Sequence, residues 1–485
     1  MSGYNTTLYR EHPKAWHKVD LLLDPWTHDY NTPVFSKNGM TPVVYHGYHQ
    51  TDVIRAKALD RLLSLTTEQK HKPFYLTIAP VAPHVEFGGL PKPQVRHKHA
   101  FPEAKAPQHA NFNPTVSFAQ QKPSWLKGLK PLNDSEIDHV NMHFRHRIQA
   151  LQGVDEIVHD VVKLLEENGA LDNTYIIYTT DNGYHLGQHR VMAGNTLPYL
   201  EDTNLPFIVR GPGVPGGEIS RLPGAHLDLA PTFLDIACVH PHNVPVYFDG
   251  RSLLDNWHKP LRFPSGSESA NRDIINGEFW GRSVVEAPGY EGSINNSYKT
   301  IRIVGRETAW LYSKWCTGDT ELYESFFDIF ELENLVEKAA PGSVQARIMH
   351  RLDALLMLTK TCSQDFCRDP WAMLQSTCFL DNSCPHSRIF NSIGSAMDPR
   401  FDDFFAKLPK VQMADCLEYQ DVRNGSSSSL GSKPTNNYKS PTRPSRPVPG
   451  NALDQGTLSQ RHTQISEMEE KARKLTDAEL GIFSS

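Results

Sequence analysis

Along residues 148–165 the apolar positions recur at helical spacing. Ile148, Leu151, Val154, Val158, Val161 and Leu165 form one stripe, which predicts an amphipathic helix. "ENGALDN" then supplies Gly169 as a stop, because helices commonly end where a glycine takes the left-handed conformation. The period changes at once to the apolar run "TYIIYTT" (174–180), which predicts a buried strand. Upstream, Val53, Ile54, Ala58, Leu59 and Leu62 predict a helix over 52–64. "KPFYLTIAP" (72–80) follows as a strand, too short for a helix and rich in aromatic residues. Downstream, "LPFIVRGPG" (205–213) predicts a strand running into a turn. "HLDLAPTFLDIA" (226–237) predicts a helix with Leu227, Ala230, Phe233, Leu234 and Ala237 on one side. Strands alternating with helices predict an α/β fold, a mostly parallel sheet covered on both faces.

The texture changes after about residue 265. "RDIINGEFWG", "YKTIRIVG" and "TAWLYSKW" are short strands separated by turn residues, which predicts a smaller antiparallel α+β subdomain, with a helix over Val344–Leu358. Residues 91–130 are rich in Pro and Lys with little periodicity and read as a long surface excursion. Residues 423–460 are rich in Ser, Pro and Asn and read as disordered. "TQISEMEEKARKLTDAELG" (463–481) reads as a marginal, solvated helix. Three regions are therefore expected: 1–260, 261–422 with a Cys-rich end, and a 423–485 tail.

Composition narrows the function classes. A chain of 485 residues can bury a large core. Its 49 basic and 55 acidic residues leave a net charge of only −6, with no clustered basic footprint for nucleic acid. No apolar run approaches the length of a membrane span, and the mean hydropathy is −0.47. The first residues, "MSGYNTTLYREHPKAWHKVD", lack the basic-then-apolar pattern of a signal peptide. Asn5, Asn133, Asn295 and Asn424 each begin an N-x-S/T sequon. Of seven cysteines, Cys316, Cys362, Cys367, Cys378, Cys384 and Cys416 crowd the C-terminal third without a C-x-x-C pair, which favours local disulfides over a metal site.

Candidate chemistry gathers where predicted strands end, because ligands in open α/β sheets bind beyond the carboxyl ends of the strands. "FYLTIAPVAPH" ends at His84, and "TYIIYTTDN" ends at Asp181 and Asn182. A carboxylate beside an amide oxygen suits Ca²⁺ or Mg²⁺ better than zinc. Each feature alone is also an ordinary turn or loop. Together with their surroundings they resemble the sulfatases of the alkaline-phosphatase-like superfamily. The resemblance is carried by "GVDEIVHDVVKLLEENGALDNTYIIYTTDNGYHLGQHR", "LPFIVRGPGV", "KPFYLTIAPVAPH", "HLDLAPTFLDIA", "FDGRSLL" and "ELYESFFDIFELENL". It runs from about Leu22 to Cys367 and lies nearest the fungal arylsulfatases similar to N-acetylglucosamine-6-sulfatases.

That resemblance implies hydrolysis of sulfate esters by a formylglycine nucleophile, with a calcium ion neutralising charge on the sulfate. It implies Asp181 and Asn182 as metal ligands, His84 and His185 as substrate-binding residues, and a sulfated small molecule or glycan as partner. Secreted, lysosomal or vacuolar relatives imply an extracytoplasmic location. In the family, an Asp-Asp pair, the C-x-P-x-R nucleophile motif and a Lys-x-His precede the stretch that corresponds to "DPWTHDYNTP". This chain starts some twenty residues before that point, so the resemblance implies a truncated sulfatase domain that lacks its first strands, its formylglycine and the Asp-Asp pair. Cys384-Pro385-His386-Ser387-Arg388 and Thr442-Arg443-Pro444-Ser445-Arg446 do not restore the motif. The family's lysine fourteen residues beyond the metal-binding aspartate is Asn195 here. An inactive product is therefore expected, alongside two alternatives: a non-catalytic binder of a sulfated ligand, and a phosphate or phosphonate monoester hydrolase.

Overall fold

The C-terminal antiparallel sheet shows most directly how pattern becomes structure. The structure is a computed structural model and describes residues 5–11, 13–86, 89–260, 273–287, 289–305, 308–380, 391–413, 415–421, 458 and 460–481. In it β6 (Ile274–Phe279), β7 (Tyr298–Val304), β8 (Ala309–Trp315) and β9 (Thr320–Glu324) pair in that order, all antiparallel. Alternation sends Ile301, Ile303, Tyr312 and Leu322 to one face, against Leu352, Leu355 and Leu356 of the helix α4 (Val344–Thr359). Leu311, Trp315 and Tyr323 point to the other face and meet Leu126, Leu197 and Tyr199 of the N-terminal half. Each fully buried leucine contributes about 1.5–3 kcal/mol.

Two long helices carry the N-terminal half. α1 (Gln50–Thr67) extends the predicted 52–64 helix at both ends. α2 (Asp134–Glu167) starts fourteen residues before the apolar stripe. Its start lies in "NDSE", which the apolar stripe did not reach. Asn133 accepts from the Glu136 N–H at 3.1 Å while the Glu136 carboxylate accepts from the Asn133 N–H at 2.7 Å, a capping box. Gly169 follows the helix at φ +64°.

Among the described residues the strand pairing differs from the mostly parallel sheet expected from the sequence, within an α/β architecture that matches the expectation. β4 (Ile176–Thr179) and β5 (Phe207–Arg210) pair antiparallel, and every strand pair among the described residues does the same. A parallel pair needs a crossover that returns the chain to the same end. Residues 180–206 form no such crossover; they fold into a loop with one short helix, Leu200–Thr203, so the chain simply runs back. Residues 73–80 are extended with alternating exposure, yet form no strand pair or backbone hydrogen bond among the described residues. Helical cover on both faces does appear: Ile78 packs toward α1 and α2, and Tyr75 meets Phe233 of α3 (Leu229–Ile236) at 5.0 Å.

Other expectations change too. The 91–130 stretch is no mere surface excursion, because Gln94, Asn111 and Lys122 are buried. The C-terminal stretch from 460 is no solvated helix. α5 (Ile465–Lys471) buries Met468 among Phe35, Val53 and Ile157, and β10 (Arg473–Lys474) extends the sheet β1 (Asp20–Leu22), β2 (Val34–Lys37), β3 (Val43–Val44). Residues 422–457 lie outside the described residues. The disulfides are only partly local: Cys362–Cys367 spans 5 residues, Cys316–Cys416 spans 100, and Cys238 is free. Cys384 and the Cys378 side chain lie outside what is described, as do both near-matches to the nucleophile motif.

Candidate active site

The loop after β4 is built by close backbone approach. Gly183 N–H donates to Asp202 O at 2.9 Å and Tyr184 N–H to Glu201 O at 2.8 Å. A Cβ on Gly183 would sit 1.9 Å from the Glu201 carbonyl oxygen, so only glycine fits. The loop closes where His185 and Gly194 exchange backbone hydrogen bonds of 2.9 and 3.2 Å. At its tip His189 and Arg190 both hold positive φ, 53° and 67°, a conformation that costs non-glycine residues of order 1–3 kcal/mol. The surroundings over-determine it: the Arg190 guanidinium donates to Pro114 O at 2.7 and 2.9 Å and to Leu129 O at 2.9 Å.

The structure sorts the predicted residues into surface and interior. Asp181 is exposed; its Oδ1 accepts from the Asn182 N–H at 3.1 Å. Asn182 is half-buried and its Nδ2 donates to Gly183 O at 2.7 Å. His185 lies in the interior, 1% exposed, with Nδ1 donating to the Asp202 carboxylate at 2.8 Å. Asp202 also accepts from the Leu197 N–H at 2.8 Å, and its burial raises its pKa. His185 thus braces the loop. His189 is buried too, 3.7 Å from Glu201, and burial pushes its pKa down to about 4. Asn195, half-buried, sits between Gly194 and Thr196, whose hydroxyl accepts from the Val284 N–H at 3.3 Å.

His84 faces a crevice assembled from four parts of the chain. Its ring stacks on His28 with centroids 4.2 Å apart. Its Nδ1 lies 2.8 Å from Val85 O, an acceptor, so this nitrogen carries the proton. Its Nε2 faces Glu286 Oε1 across 3.9 Å. The other carboxylate oxygen, Oε2, accepts from the Tyr184 hydroxyl at 2.5 Å. The Arg147 guanidinium, from α2, lies 3.7 Å from the centroid of the Tyr184 ring and donates to Pro83 O at 3.2 Å. Beneath, His143 is fully buried; burial, then Arg147, His139 and His146, push its pKa down to about 3. Glu286 reaches the crevice because its loop is pinned to the 193–196 turn, with Glu286 N–H donating to Ala193 O at 2.9 Å.

Sequence reasoning missed Arg147, Tyr184 and Glu286. Tyr184 sat inside the quoted motif, and Arg147 in a run of basic residues and histidines on α2. Nothing local in "SVVEAP" pointed to Glu286.

Asp181 and Asn182 offer two adjacent oxygen donors to a hard cation. Ca²⁺ takes six to eight oxygen ligands. Here one exposed carboxylate and one amide oxygen stand side by side, and among the described residues no group of three or more His, Cys, Asp or Glu could hold a metal. The two residues alone do not fit a calcium site.

Comparison with known proteins places this geometry. The sulfatase family model matches residues 2–239. The chain is 33% identical over 450 residues to an arylsulfatase of Volvox carteri, covering 87% of this chain and 66% of that protein. It is 32% identical over 404 residues to sulfatase ppz1 of Metarhizium majus, covering 82% and 83%. It is 30% identical over 345 residues to the human N-acetylglucosamine-6-sulfatase, covering 66% and 57%. The chain thus spans about two thirds of the length of the algal relative. Its fold matches a solved structure of BT4656 in complex with its substrate D-glucosamine-2-N,6-O-disulfate, with TM-score 0.55 and 22% identity over 70% of this chain and 76% of that one. The α/β architecture is therefore the alkaline-phosphatase-like fold, despite the antiparallel pairing of its described strands. Sulfatases generally use a metal ion, and no helix among the described residues is long and apolar enough to cross a membrane. On the match to the family model and to the Metarhizium sulfatase, the chain belongs to the sulfatase family.

Proposed function

We propose that the protein acts on sulfate esters of sugars, with the His84 crevice as the place where the ester is held. The observation that carries this is the convergence of His84, Tyr184 and Glu286, backed by Arg147, on the loop that begins at Asp181 and Asn182. His84 presents the Nε2 edge of its ring, the edge that can bond a sulfate or leaving-group oxygen. His185 acts indirectly, by holding Asp202 and with it the loop. Relatives named N-acetylglucosamine-6-sulfatase support a sulfated sugar, while relatives named arylsulfatase match over more of the chain and keep an aryl ester in view. Ca²⁺ is the proposed cation at Asp181 and Asn182; because these two do not complete its shell, no chemical step is assigned through it. Two disulfides and exposed Asn133 and Asn295 sequons support an extracytoplasmic site of action.

A second reading, binding without turnover, is favoured by Asn195. A neutral amide there cannot pair with an anionic sulfate as a lysine would; loss of one such stabilising contact costs roughly 2–4 kcal/mol of transition-state binding. The test is turnover of para-nitrophenyl sulfate and para-nitrophenyl phosphate with and without added Ca²⁺, beside calorimetric titration with N-acetylglucosamine 6-sulfate. Calcium-dependent release from the sulfate alone supports hydrolysis. Binding of the sugar sulfate without release supports the second reading. Release from the phosphate alone, or neither binding nor release, overturns both.

A further inference from the structure

Resting on the reading that the crevice holds a sulfate ester, we infer that Glu286 selects the substrate by accepting a hydrogen bond from a hydroxyl or ammonium group of the sugar. Its two oxygens have unequal duties. Oε2 is engaged by the Tyr184 hydroxyl at 2.5 Å, which fixes the plane of the carboxylate. Oε1 points at His84 Nε2 from 3.9 Å, beyond hydrogen-bond reach. The side chain is 13% exposed and that of His84 is 38% exposed, so both can be reached from solvent, His84 more readily.

The chemistry of that gap decides what it takes. Nδ1 of His84 is engaged with Val85 O, which leaves Nε2 as the edge open to a ligand. Across the gap Glu286 Oε1 is an acceptor and wants a donor. Sulfate offers only acceptors, so the sulfate group itself does not satisfy Oε1. A sugar hydroxyl or ammonium beside the sulfate-bearing carbon does. The acid is not free to swing away, since Tyr184 is itself clamped by Arg147 on its ring face and the Glu286 backbone is tied to Ala193. Arg147 also lies close enough to feel the acid's charge. Glu286 belongs to the C-terminal half, so specificity comes from one half of the chain and His84 from the other.

The experiment is calorimetric titration of the wild-type chain and Glu286→Gln with three probes: glucosamine 6-sulfate, N-acetylglucosamine 6-sulfate and phenyl sulfate, which has no donor. A glutamine oxygen can still accept from Tyr184, but its NH₂ turns a donor toward the gap. The expected result is a roughly ten- to hundredfold loss for the sugar sulfates, the size of a hydrogen bond to a charged group, with phenyl sulfate unchanged. Loss for both sugars assigns the contact to a hydroxyl; loss for glucosamine 6-sulfate alone assigns it to the ammonium. Equal weakening of all three probes makes Glu286 a structural residue and overturns the proposal, as does no weakening at all. Wild-type chain that binds none of the three removes the sulfate-ester reading itself, and that failure shows before any variant is made.

Discussion

Two layers of this molecule both carry apolar runs in sequence and ended differently. The C-terminal sheet is sealed on both faces: Ile301, Ile303, Leu311, Tyr312, Leu322 and Tyr323 are all fully buried. The layer made by residues 73–80, β4, β5 and α3 is not. Ile208 is 63% exposed, Tyr75 56% and Phe207 38%, and α3, one of the more apolar helices, buries only Pro231 and Thr232. Strand propensity was similar in both. What differs is partners: β7 and β8 each have a strand on either side and side chains above and below, whereas 73–80 has no strand beside it among the described residues. Apolar content makes a strand; neighbours on all sides make a core.

The comparison can be broken by mutation. The largest effect is expected at Lys122, buried between Tyr199 and Tyr323 with ring centroids 4.2 and 4.3 Å away and donating to Tyr323 and to Glu331 O. Lys122→Met leaves the buried Glu321 without its cation and should cost about 3–5 kcal/mol in denaturant unfolding. A loss below 1 kcal/mol would mean that the three donors to Glu321, Tyr199, Tyr323 and Trp315, suffice alone.

Next comes Leu352→Ala, at a site with no exposure, expected to cost about 2–5 kcal/mol through lost burial and a cavity. Midway is a pH effect at His143. Its folded pKa of about 3 lies below the unfolded value of 6.5, so the unfolded chain binds the proton first as pH falls. The stabilising contribution is complete above pH 6.5 and is lost on acidification, by about 2 kcal/mol at pH 5. His143→Gln should flatten that slope, and a slope that stays the same assigns it elsewhere. Smallest is Ile208→Ala, expected to change stability by no more than about 0.5 kcal/mol. If it costs as much as Leu352→Ala, something covers the open layer in solution and the contrast fails.

How much could be read in advance follows range along the chain. α1, α2, α4 and three of the four C-terminal strands were legible because their signals lie within a turn or two of each residue. β9 was missed, since "TELYE" is short and its one-in, one-out pattern is carried by just five residues. The place of Asp181 and Asn182 just beyond β4 was legible because the strand stops where its apolar run stops, whereas the run before His84 forms no strand among the described residues. His185 was legible as a residue and misjudged in place: its polar loop setting suggested a pocket wall, but Asp202, seventeen positions away, draws it inside.

The sequence by itself therefore determined the family, the long helices and the end of β4 with the residues beyond it, because each is written in local spacing or in an unbroken motif. Tertiary structure alone decided three things. It made β4 and β5 antiparallel, folded the last residues onto α1 as a fourth strand and helix, and carried Glu286 to His84 across 202 positions of chain (286 less 84). The physical reason is common to all three. Pairing and burial are settled between surfaces that meet only after the chain has folded, and no window of neighbouring residues contains both.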